Sequence, residues 1–265
     1  FRCTYCYNNY YRDLYGNSKT YLRRRSVDSV IGELSFYRDR YGIKEVFFCD
    51  DSFAMNHKWV SEFCDRYEKE IDLPFKCFIH ANTATRNIIK MLRRAGCRDI
   101  DMGVESGDER LRREVLGRDV TDRKLVESGK IIMETGIKLT TLNMFGLPGE
   151  TAEQMKKTIE LNRKINPTGF LSAIFYPYPG TKLFQFCIDR GVLGEKEIEY
   201  IKNGYGGYKK LDTLITNPNK IEVLRYHTFA PFLCKLPASL HPLVLALPPN
   251  QFFRILFLPL STSRR

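Results

Sequence analysis

Ile43-Lys44-Glu45-Val46-Phe47-Phe48-Cys49-Asp50-Asp51-Ser52 reads as one short strand of β-branched and aromatic residues that runs into a loop carrying two adjacent carboxylates. The segment before it has the other periodicity. Ser26 is placed to cap a helix in which Val27, Val30, Ile31 and Leu34 recur at helical spacing, and Gly42 stops it. The same helix-then-strand unit repeats downstream. Residues 58–70 suit a helix, 75–80 a strand, 87–95 a helix closed by Gly96, and 100–104 a strand. Residues 121–135 suit a further helix closed by Gly136, followed by a strand over 138–145. Thr151 with Gln154 then forms a capping-box pattern before a helix, and 169–175 is the next strand.

Strands alternating with helices at this length call for parallel β/α units, in an open doubly wound sheet or a barrel. The expected fold is α/β: a partial (β/α)6 TIM-like barrel of parallel strands over residues 1–192, entered at the end of its first strand. A mostly helical C-terminal extension is expected over 193–265. Either architecture places ligands at the C-terminal strand ends. The unusual residues fall there: Asp50 and Asp51, Glu105 and Ser106, Gly146 to Glu150, and Tyr176 to Thr181. In the extension, 195–201 and 220–229 suit helices, and 203–208 reads as a flexible aromatic loop. Residues 236–253 carry no charge if His241 is neutral, but Pro237, Pro242, Pro248 and Pro249 make the stretch a poor spanning helix. Packing against parts of the protein outside this chain is the expectation for it, with peripheral membrane contact as the minority reading.

The chain has 265 residues, 43% of them hydrophobic, which is enough for one large α/β domain with an extension. Forty-two basic against 31 acidic residues leave a net charge of +11, compatible with an anionic substrate, nucleic acid or a membrane surface. Because the basic residues are scattered, nucleic acid ranks lowest. Of the eight cysteines only Cys3 and Cys6 are close in sequence, so no disulfide framework is indicated and a reducing cytoplasm fits.

That pair, in Cys3-Thr4-Tyr5-Cys6-Tyr7-Asn8, reads as iron–sulfur, zinc or redox chemistry, or as buried thiols. It resembles the second half of the CxxxCxxC signature of the radical S-adenosylmethionine (SAM) superfamily, whose first cysteine would precede Phe1. Further stations follow in the expected order and cover roughly residues 1–190. They are Phe47-Phe48-Cys49-Asp50-Asp51-Ser52-Phe53, Gly103-Val104-Glu105-Ser106-Gly107, Gly146-Leu147-Pro148-Gly149-Glu150-Thr151 and Tyr176-Pro177-Tyr178-Pro179-Gly180-Thr181. The first and last of these resemble the cobalamin-associated branch.

The resemblance implies a 4Fe-4S cluster held by Cys3, Cys6 and a third cysteine, with an open iron that binds SAM. One electron then cleaves SAM to methionine and a 5′-deoxyadenosyl radical. Tyr5 is implied beside the cluster and adenine, Asp50 or Asp51 at the SAM ammonium, and Glu105 with Ser106 at the ribose hydroxyls. Arg118 is implied at the methionyl carboxylate, Gly146 and Pro148 against adenine, and Tyr176 and Tyr178 as an aromatic wall. The residues alone also permit helix capping by the aspartates, a plain turn at Ser106-Gly107, an exposed helix-end Arg118, a structural Gly146 turn and rim packing by the tyrosines. Cys49 is expected to be a small buried hydrophobe, and His80 is the histidine worth testing as a substrate or proton contact.

The resulting expectation is an enzyme that methylates or oxidatively cyclises a small molecule, with an external electron donor and with cobalamin held by a preceding domain. A tRNA methylthiotransferase-like enzyme and an inactive interaction module are the competing readings. With two of the three cluster cysteines, the chain by itself is expected to be inactive.

Overall fold

The computed structural model describes residues 2–16, 22–204, 213–250 and 252–253. The cysteine turn runs straight into a helix, α1 (Tyr7–Leu14), where the sequence reading has a polar tyrosine-rich loop. Cys6 caps it, its Sγ accepting the Asn8 N–H at 3.4 Å. Only Asn9 of this helix is buried, so there was no apolar stripe for periodicity to detect.

The alternation then proceeds as expected through α2 (Val27–Tyr41), β1 (Val46–Phe48), α3 (His57–Glu70), β2 (Phe75–Ile79) and α4 (Arg86–Arg94). Ser26 caps α2 by accepting the Ser29 N–H at 3.2 Å, and Gly42 ends it at φ 62°. β3 (Cys97–Glu105) begins three residues before the expected 100–104, because Asp99 and Asp101 interrupt the apolar pattern that marks a strand. Two short helices had no sequence signal: α5 (Glu109–Glu114), which is mostly charged, and later α8 (Lys182–Asp189). Between them lie α6 (Asp122–Glu134), β4 (Lys138–Phe145), α7 (Ala152–Ile165) and β5 (Gly169–Ile174). The Thr151–Gln154 capping box at the start of α7 is formed in both directions.

The strands make one parallel sheet in the order β1-β2-β3-β4-β5. Five strands are therefore present among the described residues where the sequence reading has six units, and the cysteine turn with α1 and α2 precedes the first of them. Alternation sorts the two faces. Phe75, Cys77 and Ile79 of β2 join Ile100, Met102 and Val104 of β3 in the core beneath the helices. Lys76 points to the other face, with its Nζ 2.9 Å from Asp101 Oδ1 and 5.4 Å from the centre of the Phe47 ring. Cys49 is exposed rather than buried, because it lies past the end of β1 and the helices no longer cover it.

The extension comprises α9 (Glu195–Lys202), α10 (Lys220–Leu233) and α11 (His241–Leu245). α10 lies on β5 and α7: Val223, Phe229, Ala230 and Leu233 share a core with Phe145, Met155, Ile159, Phe170 and Ile174. The apolar tail joins this core through Val244, Leu245, Leu247 and Phe253, so it packs against its own chain, where the sequence reading has it packing against parts outside this chain. The aromatic loop expected at 203–208 lies outside the described residues from Tyr205 onward.

Candidate active site

Because every strand is parallel, the loops after all five open at the same end of the sheet, and the cysteine turn lies across that end. The turn is tied down on two sides. Thr4 donates through its backbone N–H to Leu116 O (2.9 Å) and through Oγ1 to Val115 O (2.6 Å), and its own carbonyl accepts from Leu183 N at the start of α8. Within the turn, Cys6 N donates to Cys3 O, and Asn9 Nδ2 donates to the same carbonyl at 2.8 Å. The two cysteines thus share one short, tied-down turn, Cys3 buried and Cys6 half-buried. Asn8 Nδ2 donates to Asp51 Oδ2 at 2.5 Å, which brings the end of β1 against this loop. Burial raises the Cys6 thiol pKa, and the nearby Asp51 carboxylate adds to the effect. Of the two expected acids, Asp51 is therefore the one beside the cysteines. Asp50 is exposed on the same loop.

Tyr5, Glu105 and Arg118 converge on Cys3. Glu105 ends β3 at φ 69°, in a register shift between Gly103 and Glu105 that turns its side chain out of the strand alternation. The Tyr5 hydroxyl lies beside the Glu105 carboxylate. Arg118 is buried rather than an exposed helix-end residue, donates Nη2 to Gly103 O at 2.6 Å and lies against Cys3. Burial raises the Glu105 carboxyl, and Arg118 and Tyr5 draw it back part-way. Burial would lower Arg118, but Glu105, Tyr5 and Cys3 outweigh it and raise its pKa. Burial and then Glu105 raise the Tyr5 phenol well above its ordinary range, so it remains a donor. The Arg118 Nε is buried without a hydrogen-bond partner, a donor held ready inside the site. A Cβ on Gly103 would stand 2.4 Å from Glu105 Oε1 and 3.1 Å from Arg118 Nη2, so a larger residue here would displace both side chains.

His80, after β2, is buried, and its Nδ1 accepts the Asn82 N–H at 3.2 Å. Burial, helped by the Arg118 charge, lowers its pKa to about 3, so the ring is neutral. Ser106 is fully buried, and its carbonyl accepts from Arg112 Nη1 at 2.6 Å. After β4, Gly146 (φ 78°) and Gly149 (φ 75°) turn the chain, and Pro148 is buried between them. A Cβ on Gly146 would lie 2.9 Å from Val223 Cγ1, so this glycine also admits α10. After β5, the rings of Tyr176 and Tyr178 are 4.8 Å apart and Tyr178 is 5.4 Å from Tyr7, a continuous aromatic wall.

Sequence reasoning missed four contributors. Asn8 and Asn9 organise the cysteine turn. Arg112, with no exposed surface, fastens Ser106 O, Val120 O and Asp122, and so holds the loop between Glu105 and Arg118. Glu150 closes the glycine turn, its Oε2 accepting from Gly146 N (2.7 Å) and Leu147 N (3.1 Å). Polar residues on short helices and turns carry no periodic signal that would have found them.

The sequence model of the radical SAM superfamily matches residues 1–161. The chain belongs to the radical SAM superfamily. It is 31% identical over 172 residues to an uncharacterized methyltransferase of Pyrococcus horikoshii, a match covering 64% of this chain and 37% of that protein. It is 26% identical over 211 residues to cytidylyl-2-hydroxyethylphosphonate methyltransferase of Streptomyces wedmorensis, covering 75% of this chain and 37% of the relative. Among solved structures, the radical SAM methyltransferase TsrM of Kitasatospora setae, determined with cobalamin and a 4Fe-4S cluster, shares the fold. Its TM-score is 0.57 at 18% identity, over 63% of this chain and 34% of that one. The chain thus spans a little over a third of these relatives.

In this radical SAM chain no group of three or more His, Cys, Asp or Glu is placed to hold a metal ion among the described residues. Cys3 and Cys6 fit two of the three thiolate positions of a superfamily cluster. Both are free and share one turn, with the buried Arg118 and the Tyr5–Glu105 pair beside them.

Proposed function

We propose that this protein is a radical SAM methyltransferase of the cobalamin-dependent kind, acting on a small molecule. The observation that carries the reading is the convergence of Tyr5, Glu105 and Arg118 on the Cys3–Cys6 turn at the open end of a parallel sheet. An acidic acceptor and a buried cation side by side match the two ends of SAM, a pair of ribose hydroxyls and an α-carboxylate.

Cys3 and Cys6 would hold the cluster, which when bound supplies the electron that breaks the sulfonium carbon–sulfur bond. Glu105 accepts from the ribose hydroxyls, with the buried Ser106 behind it. Arg118 pairs with the methionyl carboxylate, and Asp51, more than Asp50, takes the ammonium. Tyr5 keeps Glu105 oriented and covers adenine, which lies against the backbone of the turn from Gly146 to Pro148. Tyr7, Tyr176 and Tyr178 screen the reacting centre from water and present phenolic tips to the substrate. Cobalamin as methyl carrier, an external one-electron donor and a cytoplasmic setting belong to the same proposal. The methyltransferase relatives favour methyl transfer over ring-forming oxidation, and the eight free cysteines suit a reducing compartment.

The test is an anaerobic assay of the full-length protein with reductant and methyl-labelled SAM, reading 5′-deoxyadenosine and labelled product. Cys3→Ala and Cys6→Ala should abolish both. Glu105→Gln should raise the KM for SAM by about tenfold or more, the worth of one hydrogen bond to a charged group. SAM cleavage that survives either cysteine change would remove the reading.

A further inference from the structure

A cavity of about 780 Å³ opens between α7 and the C-terminal segment, and none of its lining residues belongs to the strand-end site. Its α7 wall carries Lys156, Arg163 and Lys164 with the acid Glu160, and Lys156 is also paired with Glu153 beside the wall. The opposite wall includes Tyr226, Pro242 and Leu245. Arg163 Nη1 is 3.2 Å from His241 Nε2, which ties the cationic wall to the start of α11.

The C-terminal segment that supplies Ala238, His241, Pro242 and Leu245 to the cavity also exposes apolar side chains along its length. Leu243 is 69% exposed, Leu240 41% and Phe252 67%. From residue 236 to 253 there is no Asp, Glu, Lys or Arg. The segment is nevertheless anchored, because Val244 and Leu247 are packed into the α10 core. Its outward leucines are therefore displayed from a fixed base. Uncharged apolar side chains displayed beside a cationic wall make the pattern of a protein face that lies in a bilayer interface, leucines among acyl chains and lysines at anionic headgroups. No described helix is long and apolar enough to cross a membrane, and α11, with five residues, can only lie along one.

We propose that this face binds the surface of a membrane containing anionic phospholipid, with the cavity taking a headgroup and Leu240, Leu243 and Phe252 entering the interface. Charge complementarity selects this occupant: Lys156 is held by Glu153 and Glu160, Arg163 and Lys164 stand on the wall beyond them, and the whole chain carries a net charge of +11. The proposal is independent of the strand-end chemistry.

The experiment is sedimentation of the full-length protein with phosphatidylcholine vesicles and with vesicles containing about one-third phosphatidylglycerol. The protein should pellet with the anionic vesicles only, and less so at high salt. Leu243→Ser and Lys164→Glu are both changes at exposed positions that leave the fold intact, and each should weaken vesicle binding by about fivefold or more. Equal pelleting with neutral vesicles, no pelleting with either, or binding unchanged in both variants would overturn the proposal.

Discussion

Glu150 shows what a single residue contributes beyond its motif. It is 1% exposed, and burial pushes its carboxyl up to about 8, despite the two backbone N–H groups that Oε2 accepts. Its Oε1 is buried without a partner. The folded state therefore holds a proton that the unfolded chain releases near 4.5. Its stabilising contribution is fully present below that pH and is lost as pH rises through about 8. We expect the urea midpoint to decline between pH 5 and 8.5 by an amount that reflects roughly 4 kcal/mol from this residue. Glu150→Gln, which keeps the acceptor oxygen, should flatten the decline, and an unchanged slope would show the carboxyl to be ionised. From sequence, the Gly146–Glu150 motif marked a turn that backs a ligand. That its acid is the staple of the turn depends on which way one side chain folds back, and no pattern of residue types encodes this.

At the scale of elements, the site depends on close approaches of backbone. Gly107, just after β3, donates its N–H to Thr158 Oγ1 at 2.7 Å, and a Cβ there would stand 2.2 Å from Lys157 O. Gly107→Ala should therefore push α7 from the end of β3 and destabilise the protein by about 3 kcal/mol or more, seen as a lower melting temperature. A melting temperature within about 2 °C of the parent would show that α7 yields freely. The long helices and most strands were legible because each turns its apolar residues to one side, at the spacing its geometry sets. α1, α5 and α8 were not, since α1 buries almost nothing, α5 is mostly charged and each is only two turns or so long.

For the whole molecule, the question is whether barrel and extension act together. α10 shares a core with β4, β5 and α7, while Trp59, the single tryptophan, stacks on Phe63 at 5.1 Å by β1 and β2, at the opposite edge of the sheet. Tryptophan fluorescence therefore reports the α2–α3 side, and far-UV circular dichroism reports all the helices. With the sheet continuous between the two cores, both signals should give one unfolding midpoint. Two midpoints would make the extension a separate folding unit.

The sequence by itself determined the alternation of parallel units and the end of the sheet at which its unusual residues collect, because periodicity is a local property, while the resemblance carried by its motifs marked Cys3, Cys6, Tyr5, Glu105 and Arg118 as candidates. The tertiary structure alone decided that Asp51 rather than Asp50 meets the cysteine turn, that Arg118 is buried against Cys3, that Arg112 holds the loop between the two, and that the apolar tail folds back on α10. Each of these depends on the packing of segments far apart in the chain. Burial and the free energy of charges buried beside one another are set only when those segments meet.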